Sequence, residues 1–413
     1  MDFHPQRDSL LAEVHARPST PISAPMLVTR IAALSGPEGA AADRRHISDL
    51  CKRIGAPRAA DDAVWCAVDG GDWQLRWEKH GEFSSWTFLA SPDGTPEESA
   101  IAAVPRAWLD SLPGQVVVLT TLVIAREERR ETVPDPKEKV GSRIMGETAT
   151  VLTDLRADAG GMTRFRLFMH VDDPVLTGRI ALSLLEIESY RLMALLAFPV
   201  AQQTAAKLAE IEAEARELTE KIATHLGVDD DRDLLARLVA LSGRMEAMSA
   251  STSFRFGAAR AYYDLVQARI ASLGEEALAG RQTMRDFMDR RLGPAMRTCL
   301  SIAQREAEMI SRIARAGQML STRVELVTQK INADLLESMN RRASMQLRLQ
   351  RTVEGLSVAA VSYYVVSLLL IPLKALDERV HVDTALLTLL LVPLVVAGVW
   401  WTLRRVSGRI DDD

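Results

Sequence analysis

GLSVAAVSYYVVSLLLIPL, residues 355–373, and ALLTLLLVPLVVAGVWWTL, residues 385–403, contain no charged side chain. Each approaches the ~20 apolar residues that a helix needs to cross the hydrocarbon core of a bilayer. A core helix of a soluble protein normally keeps a polar stripe, and these two are too evenly apolar for that. They predict a two-helix transmembrane hairpin. The linker between them, KALDERVHVDT (374–384), is short and polar. Pro372 and Pro393 are tolerable in lipid, where neighbouring helices satisfy the freed carbonyls. Trp400 and Trp401 close the second span at the level of the interfacial aromatic belt.

The flanking charges set the orientation. Arg341, Arg342, Arg348 and Arg351 precede the first span, and Arg404, Arg405 and Arg409 follow the second. The linker offers only Lys374 and Arg379, diluted by Asp377, Glu378 and Asp383. Cytoplasmic flanks collect the basic residues, so both termini are expected in the cytoplasm and the chain in an inner, cytoplasmic membrane as a multi-pass protein. The start, MDFHPQRDSLLAEVHARP, has no apolar run behind a basic segment and does not read as a secretory signal.

Wound as a helix, the first span has two faces. Gly355, Ala359, Ser362 and Val366 follow one another at steps of four, three and four, and small residues at that spacing let another helix approach. Glu354, Ser357, Tyr364 and Ser367 fall on the broadly opposite side. Polar groups facing lipid are costly, so a polar stripe opposite a packing stripe suits a helix that lines a pore, with Glu354 concentrating cations at the cytoplasmic mouth. The same stripe also fits plain polar packing, with the serines back-bonded to their own helix.

Upstream of the hairpin the chain is rich in Ala, Leu, Glu and Arg. Ile302, Met309, Ile313, Leu320, Val324, Val327, Ile331 and Leu335 recur at threes, fours and sevens, a heptad-like seam. This last helix is expected to start after Gly293 and Pro294 and to run into the first span as one rod, on the order of 100 Å long. A lone rod of that length needs partners. Asn332 and Asn340 lie on this stalk, where an inward asparagine would fix register. Residues 178–227 predict one long helix kinked at Pro199, its second half with coiled-coil period. A second helix opens at Asp229–Asp231, and a third is expected from about Phe254 to Arg291. The expected domains are 1–175, 176–352 and 353–413.

Residues 1–175 read as mixed α and β. MLVTRIAAL (26–34), AVWCAV (63–68), WQLRWEKH (73–80) and FSSWTFLA (83–90) predict strands, with Gly81 at a tight turn. DRRHISDLCKRIG (43–55) predicts an amphipathic helix ending at a glycine, and 96–112 a further helix broken at Pro105. QVVVLTTLVIA (115–125) is apolar enough for a central strand. GETATVLTDLRAD and MTRFRLFMHV predict a hairpin about Ala159, Gly160 and Gly161, and ETVPDPKEKVG (131–141) a surface loop. The fold class is therefore an α+β N-terminal cytoplasmic domain, then long coiled-coil-like helices, then the hairpin.

The 413 residues carry a net charge of −5 and only 5% aromatics, against nucleic-acid binding. Cys51, Cys66 and Cys299 lack metal spacing and read as reduced, buried thiols. No phosphate loop, zinc motif or nucleophile elbow occurs, so neither an enzyme nor a cofactor is expected. His4, Asp8, Glu13 and His15 are close in sequence, and Lys79, His80 and Glu82 flank a turn. A metal or catalytic role for the first group and a ligand-contact role for the second stand beside capping, surface pairing and ordinary turn chemistry, which account for both as well.

HPQRDSLLAEVHARP, WEKHGEFSSWTF, LLEIESYRLMALLAFPVA and LLESMNRRASMQLRLQRTVEGLSVAAVSYYVV resemble the domain-of-unknown-function 3422 family of bacterial membrane proteins along almost the whole chain. That family name implies no activity. The layout is also similar to CorA-type divalent-cation channels: a cytoplasmic α/β domain, a long stalk, a first span that lines a pentameric pore, a short loop and a second span. The resemblance implies a homo-oligomer in membrane lipid handling divalent cations. The CorA signature, Gly-Met-Asn after the first span, is missing; Ile371, Pro372, Leu373 and Lys374 stand there. The leading expectation is a CorA-like ion transporter or channel. A non-conducting membrane-anchored scaffold or sensor, binding a partner or small ligand, is the rival.

Overall fold

β5 (Gln115–Arg126) is the middle strand of a nine-stranded sheet ordered β2-β3-β4-β1-β5-β8-β7-β6-β9. The computed structural model describes residues 3–4, 7, 20–36, 39–92, 99–127, 138–224, 228–380 and 384–410; side chains at 228–229, 372–380, 384–387 and 403–410 lie outside the description. The remaining strands are β1 (Met26–Leu34), β2 (Trp65–Asp69), β3 (Trp73–Lys79), β4 (Phe83–Ala90), β6 (Val140–Ile144), β7 (Ala149–Ala157), β8 (Thr163–Met169) and β9 (Glu276–Ala277). Every pairing is antiparallel except β5 with β8. The protein is α+β, with an N-terminal sheet followed by long helices.

Alternation along the strands separates two faces. Leu27, Ile31, Leu75, Trp77, Trp86 and Phe88 point to one side, where α1 (Ala40–Ile54) and α2 (Arg106–Leu109) cover them with Ile47, Leu50 and Trp108. Trp77 pairs with Trp86 across β3 and β4, and the Trp86 ring meets Trp108 edge-on at 5.6 Å. Each such buried side chain contributes about 1.5–3 kcal/mol. α1 stops at Gly55, whose φ of 72° is left-handed and lets the backbone N–H of Ala56 return to the Cys51 carbonyl. The expected helix over 96–112 is shorter than its apolar pattern suggests. Among its described residues only Arg106–Leu109 is helical, with Pro105 at its N-cap and residues 100–104 in turns and a bend.

The other face of the sheet carries α3 (Pro174–Leu195). Asp173 caps it, accepting from the N–H groups of Val175 and Leu176, and Pro174 occupies the first helical position. α4 (Ala197–Thr224) follows after a break at Leu196. Pro199 explains the break: it has no N–H for the Leu195 carbonyl and its ring crowds that carbonyl.

α5 (Val228–Leu273) and α6 (Met284–Val380) correct two expectations. The expected second and third helices are one helix, α5, ended at Gly274 with φ 54°. The last helix starts ten residues before Pro294. Its start is fixed by a reciprocal cap, in which Thr283 Oγ1 accepts from the Asp286 N–H at 3.0 Å and Asp286 Oδ2 accepts from the Thr283 N–H at 3.3 Å. Gly293 and Pro294 lie inside the helix. At the far end α6 continues to Val380, through most of the expected linker, and α7 spans Thr384–Ile410.

By internal contacts the chain forms two units, Met1–His225 with Asp233–Gly317, and Leu226–Arg232 with Gln318–Asp413. In the first, α4, α5 and α6 make a three-helix bundle. Ala201, Thr204, Leu208, Ile211, Ala215 and Leu218 are buried on α4; Leu234, Leu238, Leu241, Met245, Met248 and Thr252 on α5; Cys299, Ile302, Glu306, Met309 and Ile313 on α6. The steps alternate between three and four on all three helices, which is knobs-into-holes spacing. Arg305 binds Glu212 through two hydrogen bonds of 3.0 and 2.7 Å, tying α6 to α4, and Arg244 binds Glu214 at 2.6 Å, tying α5 to α4.

Candidate site on the apolar helix

α6 carries the one described stretch long and apolar enough to cross a membrane; the described apolar part of α7, Thr388–Thr402, is shorter than a span. In the second unit the seam is buried at Leu320, where Arg323 also pairs with Asp231 at 3.0 Å. Beyond Val327 it emerges. Every residue from 328 to 356 is exposed, including Ile331, Leu335, Asn332 and Asn340. Asn340 is nine residues from Ile331, about half a turn round the helix from the seam. Neither asparagine meets a neighbour's core within one chain.

Burial does not separate the two faces of the apolar stretch, since each holds exposed and covered residues. On the small-residue side Ser362 is buried, and its hydroxyl has no hydrogen-bond partner among the described residues. Gly355 and Ala359, on that same side, are exposed, and a Cβ added at Gly355 would meet open space. On the other side Glu354 is exposed, Tyr364 is 67% exposed, and Ser357 and Ser367 are half-buried. Threonines of these helices bond back to their own backbone, Thr352 to the Arg348 carbonyl and Thr402 to the Gly398 carbonyl, each at 2.9 Å. Ser357, Tyr364 and Ser367 make no such bond among the described residues, so their hydroxyls remain available to an occupant of that side. Around them Leu356, Tyr363, Leu368 and Ile371 are also exposed, and so are Leu389, Leu390 and Leu394 on α7.

The candidates at the β3–β4 turn contact neighbouring side chains and backbone. Glu82 takes both guanidinium nitrogens of Arg255, fastening the β3–β4 turn to α5. His80 stacks on Phe83 at 4.2 Å and hydrogen-bonds Ser85 at 3.1 Å, and the Lys79 N–H closes on the Val64 carbonyl. His4 is exposed, while Asp8, Glu13 and His15 lie outside the described residues, as does the 131–137 part of the expected surface loop. Of the rest of that segment, Glu138 and Lys139 are irregular, while Val140 and Gly141 open β6 and are buried. No group of three or more His, Cys, Asp or Glu able to hold a metal occurs among the described residues. The three thiols are free; Cys51 and Cys299 are buried and Cys66 is half-buried. Burial pushes the Cys66 thiol up to about 12, helped by the neighbouring Cys51.

Three polar groups escaped the sequence reading. Asp43 on α1 accepts from Ser84 at 2.5 Å and from Ser35 at 3.3 Å, and burial raises its pKa. One turn on, His46 stacks on Trp108 at 4.4 Å, and burial lowers its pKa to about 4, so the ring is neutral. Ser84 and Asp43 are wholly inaccessible, so this acid–hydroxyl pair is closed to a substrate. In the bundle, Glu306 takes a core position, and Thr252 Oγ1 donates to its carboxylate at 3.0–3.1 Å. Burial raises the Glu306 pKa.

The family model described as protein of unknown function (DUF3422) matches residues 2–410, and the chain belongs to that family. No curated protein matches it.

Proposed function

We propose that this DUF3422 protein is a homo-oligomeric, multi-pass protein of the bacterial inner membrane, with both termini in the cytoplasm, acting as a CorA-like ion transporter or channel. The observation that carries the reading is the side of the first apolar helix that holds Ser357, Tyr364 and Ser367 with Glu354 at its start. These hydroxyls lie away from buried Ser362 and are not spent on their own backbone. An axis formed by copies of this helix would give them water and cations; hydrocarbon would not. Two further features support it. The exposed leucines, isoleucine and tyrosines of α6 and α7 form more apolar surface than a soluble monomer usually leaves open. The stalk continues its apolar seam through Ile331, Leu335, Met345, Leu349 and Val353, all more than half exposed, where copies of the chain can pack.

The test is cation flux, with magnesium first, into liposomes holding the purified oligomer. Glu354→Ala and Ser357→Leu are expected to change the rate while the particle keeps its size. An oligomer that passes no common cation and holds lipid along its axis would refute the proposal. The rival reading, a non-conducting scaffold or sensor, draws support from the missing Gly-Met-Asn signature. It draws more from a groove of about 870 Å3 between α4 and α6, whose charged lining is Arg216, Arg305, Arg312 and Arg315 with Glu212 and Glu308. A stoichiometric partner retained when Glu354 is changed would favour it.

A further inference from the structure

The groove of about 870 Å3 between α4 and α6 lies wholly within the first unit and has the volume of a small-molecule site. Its charge is unevenly spent. Glu212 takes Arg305 through hydrogen bonds of 3.0 and 2.7 Å, and Glu308 accepts from Gln304 Nε2 at 2.8 Å. Arg216 follows Glu212 by four residues and Arg312 follows Glu308 by four, the spacing at which ion pairs form along a helix. Neither pair closes. Arg216, Arg312 and Arg315 make no hydrogen bond or ion pair with any described residue.

The lining therefore holds four arginines against two glutamates, an excess of two positive charges. One exposed arginine is content in water. Three on one concave surface repel one another, and a cleft lined by one sign of charge focuses its field on an incoming counter-ion. Guanidinium forks match phosphate oxygens in paired hydrogen bonds, which an ammonium cannot do. The apolar part of the lining is Ala307 and Met309, and no aromatic ring joins it among the described residues. An acyl chain has no slot here, and a base has no stacking platform.

We infer that this groove binds a small soluble ligand carrying two or more phosphate groups, held by Arg216 from α4 and by Arg312 and Arg315 from α6. Ser311 adds a neutral hydroxyl to the same lining. The site gives the sensor reading its ligand class, and conduction by the apolar helices neither requires nor forbids it.

The experiment is calorimetric titration of the full chain in detergent, free of divalent cations, with inorganic pyrophosphate and triphosphate as probes. Saturable binding of about one ligand per chain is expected, tighter for triphosphate than for orthophosphate. The double variant Arg312→Gln, Arg315→Gln should weaken it roughly tenfold or more, the loss of at least one charge-assisted hydrogen bond. Arg260→Gln, at an exposed arginine of α5, should leave it unchanged. All three positions are exposed, so the fold should survive, and Arg216→Gln is the second variant should the double one unfold. No saturable heat with either probe overturns the inference. So does unchanged binding in the double variant, or an equal loss in Arg260→Gln, which would mark general attraction of anions to the surface. Binding only to phosphatidic acid carried in the micelles, or only to a poly-aspartate peptide, overturns it as well. Cation flux is measured separately, so failure here leaves the transport reading standing.

Discussion

Replacing Glu306 by methionine is expected to stabilise the bundle at neutral pH, although it removes the hydrogen bond that the carboxylate accepts from Thr252. Glu306 is 4% exposed, and one hydroxyl, that of Thr252, is its partner at 3.0–3.1 Å. A single neutral donor compensates poorly for desolvating a carboxylate. Burial therefore raises its pKa in the folded protein above the ordinary glutamate value of about 4.5. The sign follows from linkage. Above pH 4.5 the unfolded chain releases this proton while the folded one retains it, so stability falls as pH rises, until the folded carboxyl ionises too. Methionine has no such dependence and fills a similar volume. The expected gain is about 1–3 kcal/mol at pH 8, shrinking toward pH 5. Thr252→Val acts in the opposite direction, stranding the carboxyl at a cost of about 1–3 kcal/mol. Thermal unfolding of the detergent-solubilised chain, followed by helical circular dichroism at both pH values, separates the two substitutions. Equal destabilisation by Glu306→Met and Thr252→Val at both pH values would show that the carboxylate is an asset to the bundle, and the argument from burial would fail.

Two other outcomes rest on the sheet domain, the first with a control on α5. Trp86→Ala removes a fully buried ring that meets Trp77, Trp108 and His46, and should cost about 3–5 kcal/mol in urea unfolding; Val239→Ala, at a 65% exposed site on α5, should stay within about 0.5 kcal/mol. Cys66, with its thiol pushed up to about 12, should react with iodoacetamide at pH 8 far more slowly in the native protein than in urea; equal rates would contradict its burial.

Strands whose side chains alternate or are uniformly apolar could be read directly. FSSWTFLA became β4 at its expected limits, QVVVLTTLVIA became the middle strand, and the Gly160–Gly161 hairpin formed between β7 and β8. β6 and β9 could not be read in this way. VGSRI is short and contains a glycine, and the two residues of β9 owe their conformation to pairing with β6 rather than to propensity. The third helix is expected to begin at about Phe254, but core packing at Met248, Thr252 and Phe256 carries α5 through that point. The heptad count located Ile302 and Met309. The intervening step of four lands on Glu306, which was passed over because a glutamate in an Ala/Glu/Arg-rich helix resembles solvated surface. Buried Arg30 left a comparable trace, a charge inside the apolar run MLVTRIAAL, on the same face as Val28. The Asp43–Ser84 pair left none, since its partners are 41 residues apart.

The outermost strand of the sheet comes from between α5 and α6. β9 is translated about 100 residues after β8, with three long helices in the interval. At ~5–20 residues per second the ribosome needs on the order of 5–20 s to deliver it. Throughout that interval β6 presents raw amide and carbonyl groups to whatever extended peptide drifts past, the usual seed of sheet-to-sheet clumping. Biogenesis of this protein thus has a vulnerable window whose length is set by the order of its elements along the chain and which narrows when residues 276–277 emerge to pair with Ser142 and Arg143.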